Sequence, residues 1–321
     1  MQSTRIKPLD QNAYLPAYEL SNTLIREVDS VRPSQHTFLH YTSLDAFYSI
    51  MTHRKLRLTS VKSTNDPSEF LFGKMIIERA LKETLEAAHK DHQKILELAL
   101  NGLSIRDFRA FVFCMSEAVE DEADVGELSQ WRLYGADGRG VALVFDISTP
   151  ANKDKLVNLV SIPRRVVYGE VDGLMLAKQE ITAFLDGIAT LPADTRDYLA
   201  KNAMGAAGYL ANCVFWLPSV IKHKAYRHER EVRLVRGDIG EHVGNPLIFY
   251  EKGSIRRPAI ELPIAETIGV SPNFYQHSPI SKIIIGPSGD QAAIEDSIRF
   301  FLDAKGWHTP VVRSDIPYRA V

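Results

Sequence analysis

The chain is poor in several things that would each assign it to a class. Only two of its 321 residues are cysteine, Cys114 and Cys213, each inside an apolar stretch. That excludes a disulfide-stapled scaffold and leaves two buried thiols as the expected state. An excess of one charge is also missing: Lys plus Arg number 38 against 40 Asp plus Glu. No chain-wide positive field for polyanions follows from that balance, although a local patch is compatible with it. The first residues, Met1-Gln2-Ser3-Thr4-Arg5-Ile6-Lys7, lack the apolar core of a secretory signal. The longest apolar region, Ala203 to Ile221, is interrupted by Asn212 and Pro218 and suits a buried helix better than a membrane span. Internal repeats and low-complexity tracts are absent. The expectation is a cytoplasmic protein with no membrane association.

What is present is an ordinary globular composition, 45% hydrophobic over a length that can bury one large core or two smaller ones. Residues 1–35 are mixed and polar, punctuated by Pro8, Pro16 and Pro33, and are set apart as an N-terminal extension with a short helix around Tyr18–Val28. Residues 36–321 are expected to form a single α+β domain. Thr37–Tyr41 reads as a strand, and Thr42 or Ser43 can cap a helix running to about His53. Lys55–Thr59 alternates like a half-buried strand. Asp66-Pro67-Ser68-Glu69 has the spacing of a capping box with Pro at the first helical position, opening a long helix whose polar continuation runs through His89–His92. Buried strands are expected at Ala110–Met115 and Val141–Asp146, and another at Arg164–Tyr168. A helical insertion follows at about 172–223, two helices broken near Leu191-Pro192. Further strands are expected at Glu231–Arg236, Leu247–Tyr250, Ala259–Leu262 and Lys282–Gly286, then a helix over Gln291–Lys305 and a last strand near Val311. Strands that do not alternate with helices argue for a mixed α+β sheet.

Three segments concentrate reactive side chains. On a strand, His40 and Thr42 leave the same face and make a small platform for a sugar or phosphate; a buried His beside a helix-capping Thr explains them equally without a ligand. The Asp66–Glu69 carboxylates fit a helix cap better than paired catalytic acids, while Asn65, just outside, is free to face a pocket. Trp131 and Tyr134 are three apart, so on a helix they share a face that can stack a planar ring, with Arg132 placed for phosphate. Aromatic core packing with a surface arginine is the competing explanation. If Glu229, Glu231 and Arg233 lie on one strand, two carboxylates and a guanidinium line one face, while Val232 and Leu234 anchor the other. A solvated ion-pair ladder is the plain alternative. Gly138 and Gly140 lead into a strand, so they form a turn and not a dinucleotide loop. His89-x-x-His92 lacks a third ligand, so no metal site is expected. No serine-hydrolase elbow occurs, and neither cysteine has an electropositive setting.

Leu39-His40-Tyr41-Thr42-Ser43, Lys55–Thr59, Asn65–Glu69, Ser129–Gly135, Gly138-Arg139-Gly140, Glu229–Leu234 and Ile285-Gly286-Pro287-Ser288 occur in an order and spacing that closely resemble a bacterial family, domain of unknown function 2971, from about residue 37 to 318. That family is in turn distantly similar to the ADP-ribosyltransferase superfold. The resemblance implies a split, mainly antiparallel sheet and an enzyme that takes NAD as substrate and needs no metal. It would set His40 and Thr42 at a ribose, Glu231 at the catalytic position with Glu229 as its partner, and Asn65, Trp131, Tyr134 and Arg233 around the cofactor. Arg132 would assist as a pyrophosphate clamp. One departure is plain: Tyr41 is on the wrong face to stack beside His40, so Trp131 or Tyr134 must serve. Toxin or phage-defence effectors are the implied setting, with a nucleic-acid or protein acceptor and a partner defence protein. Two other functions fit the residues: a metal-independent nuclease using His40, Arg132 and Glu231, and a non-catalytic module in which Trp131 and Tyr134 hold a nucleotide or a partner side chain.

Overall fold

The computed structural model describes residues 11–64, 66, 68–105, 110–119, 121–159, 161–237, 247–252, 255–264 and 278–319. Its strands are β1 (Thr37–Thr42), β2 (Lys55–Ser60), β3 (Ala110–Glu117), β4 (Val141–Asp146), β5 (Pro163–Arg165), β6 (Val167–Tyr168), β7 (Ile221–Lys222), β8 (Glu231–Gly237), β9 (Ile248–Lys252), β10 (Ile255–Pro263), β11 (Ile280–Ile285) and β12 (Val311–Arg313). Its helices are α1 (Gln11–Arg26), α2 (Leu44–His53), α3 (Ser68–Ala87), α4 (Lys90–Ile105), α5 (Glu122–Val125), α6 (Leu128–Tyr134), α7 (Pro150–Leu159), α8 (Glu170–Thr190), α9 (Ala193–Lys201), α10 (Ala203–Val214) and α11 (Gln291–Ala304). The class is α+β, with a mixed, mostly antiparallel open sheet and flanking helices.

The chain divides into two compact units. One comprises Met1–Ser30, Ser68–Phe108 and Val167–Lys224; the other comprises Val31–Pro67, Arg109–Val166 and Ala225–Val321. The first is helical. Its helices bury stripes at three- and four-residue spacing, such as Ile76, Ile77, Ala80 and Leu81 of α3 and Ala177, Ile181 and Phe184 of α8. The segment after His89–His92 is more than a polar continuation: it is α4, which buries Ile95, Leu96, Ala99 and Leu103. The insertion holds three helices, not two, because Asn202 ends α9 and caps α10 by accepting from the Gly205 N–H. The Glu69 carboxylate pairs with Lys222 at 2.8 Å, both nearly buried.

The second unit carries the sheet, ordered β12-β11-β4-β1-β3-β2-β10-β9, with β8 on β3 and β5 on β8. Among the described residues, only β11 and β12 run parallel within it. Arg164–Tyr168 is not one strand: β5 joins β8, whereas β6 pairs with β7 in the helical unit. One face packs Phe38, Phe113, Leu143, Val232, Leu234 and their neighbours into the larger core. On the other face Leu39, Tyr41, Ala142, Val144 and Ile284 surround Trp131.

The sheet is split, and the register shows how. β8 covers one edge of β3 along its length, from Ala110↔Gly237 to Ser116↔Glu231. Both β1 and β2 must therefore share the opposite edge. β1 takes only its end, Phe38↔Glu117 and Leu39↔Ser116, and then leaves with β4. β2 takes only its start, Thr59↔Val112 and Ser60↔Phe111. The two strands diverge around Cys114, and α2 connects them. Ser43 is the cap of α2, accepting from the Ala46 N–H at 3.3 Å, so Thr42 stays in the strand.

Candidate functional site

His40 stands where β1 leaves β3. Its Nδ1 lies 2.8 Å from the Cys114 carbonyl oxygen. A carbonyl only accepts, so Nδ1 carries the proton and the side chain replaces a lost ladder bond. The ring packs on Phe113, with centroids 4.1 Å apart. Burial lowers the imidazole pKa from 6.5 to about 4, outweighing the carbonyl bond that favours the charged form. Because the folded value is the lower one, the unfolded chain binds the proton more readily between the two. The stabilisation is complete above pH 6.5 and is lost as pH falls toward 4. The expected size is about 3 kcal/mol. His40→Asn, whose amide can donate to the same carbonyl, should flatten the acid limb of a plot of unfolding midpoint against pH.

Trp131 does not present a stacking face. The indole is 0% exposed, edge-on to Tyr41 with centroids 4.8 Å apart, and its Nε1 donates to the Val125 carbonyl. The reason lies in its flanks: a Cβ on Gly126 or Gly135 would overlap the ring, so glycines on both sides let the backbone close over it. Gly126 also needs its positive φ of 78°. The acidic segment before α6 serves this placement. Glu127 caps α6 by accepting from the Ser129 and Gln130 N–H groups, and its own N–H donates to the Tyr41 hydroxyl. Tyr134 does not share the indole's burial: it is 39% exposed, and its hydroxyl donates to Glu229 at 3.1 Å. Arg132 is exposed and stands by Tyr318, whose hydroxyl donates to Asp137.

Glu229 and Glu231 do not lie on one strand face. Glu229 belongs to a 3-10 turn, and β8 begins only at Glu231. Between them Arg230 adopts a left-handed backbone, φ 45°, a conformation that costs a non-glycine residue about 1–2 kcal/mol. Arg230 is held there by its guanidinium, which donates to both oxygens of Glu122 at 2.7 and 2.6 Å, and by its carbonyl, which accepts from the Glu117 N–H. Glu231 and Arg233 do share a face. They form a bidentate pair, Nε to Oε1 and Nη2 to Oε2 both at 2.8 Å, with the residues 7% and 3% exposed.

Register extends this pair into a row. Arg164 of β5 and Cys114 of β3 stand directly opposite Arg233, and Ser116 stands opposite Glu231, so their side chains leave the same face. Arg164 is buried as well. The same alternation puts His40 on the face of Phe38 and Phe113, opposite to this row, so His40 and Glu231, which the resemblance sets around one NAD, leave opposite faces of the sheet. Thr42 is buried at the end of β1, and Asn65, expected to face a pocket, lies outside the described residues. Nearby in the chain, Asp66 accepts from the Tyr226 hydroxyl at 3.3 Å.

Two groups escaped sequence reasoning. Arg164 is 69 positions from Arg233 and nothing in either segment announces the pairing. Gln130 sits beside Trp131 in sequence with nothing to mark its role; it is buried, and among the described residues its Nε2 has no acceptor. No group of three or more metal-binding side chains gathers among the described residues, and none of their helices is long and apolar enough to cross a membrane. Comparison with curated proteins and with solved structures finds no match. Residues 130–234, about a third of the chain, match the family model described as Protein of unknown function (DUF2971), a span that runs from α6 to the Glu231–Arg233 pair and leaves His40 and Asn65 outside it.

Proposed function

We propose that the sheet-bearing unit consumes NAD, cleaving the nicotinamide–ribose bond and transferring ADP-ribose to a nucleic-acid or protein acceptor, as a toxin or phage-defence effector would. The observation that carries this is the buried Glu231–Arg233 pair, set in a row with Arg164 beside the split of the sheet. Replacing such a pair by apolar residues is often neutral or stabilising, so its presence in a sheet is weakly explained by stability alone. The split sheet agrees with the ADP-ribosyltransferase-like architecture that the sequence resemblance implies.

The chemistry follows from the row. Breaking the C–N bond sends its electron pair out with neutral nicotinamide and leaves positive charge on the ribose. Arg233 fixes the Glu231 carboxylate through two parallel hydrogen bonds. Glu231 held in this way accepts the ribose 2′-hydroxyl and stabilises the charge as it forms, without reorganising. Arg233 and Arg164 supply the guanidinium pair for the pyrophosphate. Tyr134, exposed and tied to Glu229, is the aromatic surface for nicotinamide. His40 has a supporting part here: it holds the split open from the other face. Incubating the purified chain with NAD and quantifying released nicotinamide tests the proposal. Release above that of a buffer control is expected. Cleavage of RNA or DNA in the absence of NAD, with no nicotinamide released, would replace this function with a nuclease.

A further inference from the structure

β2, β10 and β9 form the half of the sheet beyond the split, and among the described residues one of their faces packs into the core. Leu56, Leu58, Ile260 and Leu262 take the core side. Alternation and register then place Lys55, Arg57 and Thr59 of β2, Arg257 and Glu261 of β10, and Tyr250 of β9 together on the other side. These side chains are organised. The Arg57 guanidinium lies over the Tyr250 ring, 4.7 Å from its centroid, and donates to Glu261 at 3.0 Å. The Tyr250 and Thr59 hydroxyls share a hydrogen bond of 2.8 Å, fixing the ring from below. Lys55 reaches the same Glu261 at 3.5 Å. Three cations thus face one carboxylate, and the Arg57 side chain remains 40% exposed while held over an aromatic ring.

We propose that this face binds single-stranded nucleic acid, with a base stacked on Arg57 and with Lys55 and Arg257 at the flanking phosphates. A guanidinium plane already seated on tyrosine continues the stack with any base, whatever its sequence. The excess of positive charge complements a phosphate backbone. A single strand is favoured over a duplex because a duplex hides its base faces, and among the described residues no helix or ribbon projects from this sheet face to enter a groove. Binding of this kind stands independently of NAD turnover.

Anisotropy of a short labelled oligonucleotide titrated with the full chain at about 50 mM salt tests this. Binding is expected, weakening with salt along a log–log slope of about −1.4 for two phosphate contacts. Arg257→Ala should lower affinity several-fold and make the slope shallower by about 0.7. Arg256→Ala removes the same charge from the adjacent, exposed residue on the opposite face and should change neither. Arg57→Lys keeps the charge but loses the plane, so affinity should fall about ten-fold with the slope intact. Parallel RNA and DNA titrations show which backbone is preferred. Absence of binding, equal effects of the Arg256 and Arg257 variants, or an abasic strand binding as tightly as a normal one would each overturn the proposal.

Discussion

Glu231→Gln is expected to cut nicotinamide release from NAD by about a hundred- to a thousand-fold, the usual loss when one preorganised stabiliser of transition-state charge is removed. The amide keeps the shape and one acceptor toward Arg233, so circular dichroism should show a folded chain. Glu229→Gln is the informative comparison. Its carbonyl still accepts from the Tyr134 hydroxyl, and Glu229 stands on the preceding turn, separated from the strand by the left-handed Arg230. Its loss should therefore be much smaller, near ten-fold or below, roughly the scale of a misplaced neighbour. Equal losses in the two variants would assign the carboxylates a joint role. Unchanged release in Glu231→Gln would remove Glu231 from the chemistry.

The second large effect is on stability. Glu231→Ala leaves the Arg233 guanidinium 3% exposed with its bidentate acceptor gone. Breaking a buried pair from one side costs about 3–5 kcal/mol, because the surviving charge stays desolvated. Replacing both members, Glu231→Leu with Arg233→Met, should cost clearly less than the single change, since the Arg233 charge is removed together with its acceptor. Urea unfolding midpoints of the three proteins measure this. A double variant as unstable as Glu231→Ala would mean that the pair supports the sheet by contacts other than its charges.

Much of the architecture was legible because it rests on short-range rules. Apolar runs such as Phe111–Met115 and Val141–Phe145 mark strands buried on both faces, and Ser43 before Leu44–Met51 marks a helix start. Other features depend on partners distant in sequence. The split arises because two strands compete for one edge of β3, and neither β1 nor β2 carries a local sign of where its pairing stops. Arg230 gives no warning of its left-handed backbone, since nothing in its side chain favours that conformation over the strand continuing through Glu229. Trp131 was ambiguous between core and stacking platform. The signal that resolves it, glycine at 126 and at 135, gains meaning only once both are seen against the indole. For His40 and Thr42, and for Glu231 and Arg233, alternation gives a shared face within each strand, but Glu229 lies before β8, and only the register with β3 shows that the two strands use opposite faces.

Cys114 gives the most direct test of where the ligand sits. It is partly exposed and stands opposite Arg233 in the polar row, whereas Cys213 is buried with its thiol pKa pushed up to about 12. Alkylation by a small maleimide should therefore label Cys114 alone. Saturating ADP-ribose is predicted to slow that labelling several-fold by covering the row. A labelling rate unaffected by ADP-ribose at any concentration would contradict a nucleotide site on this face of the sheet.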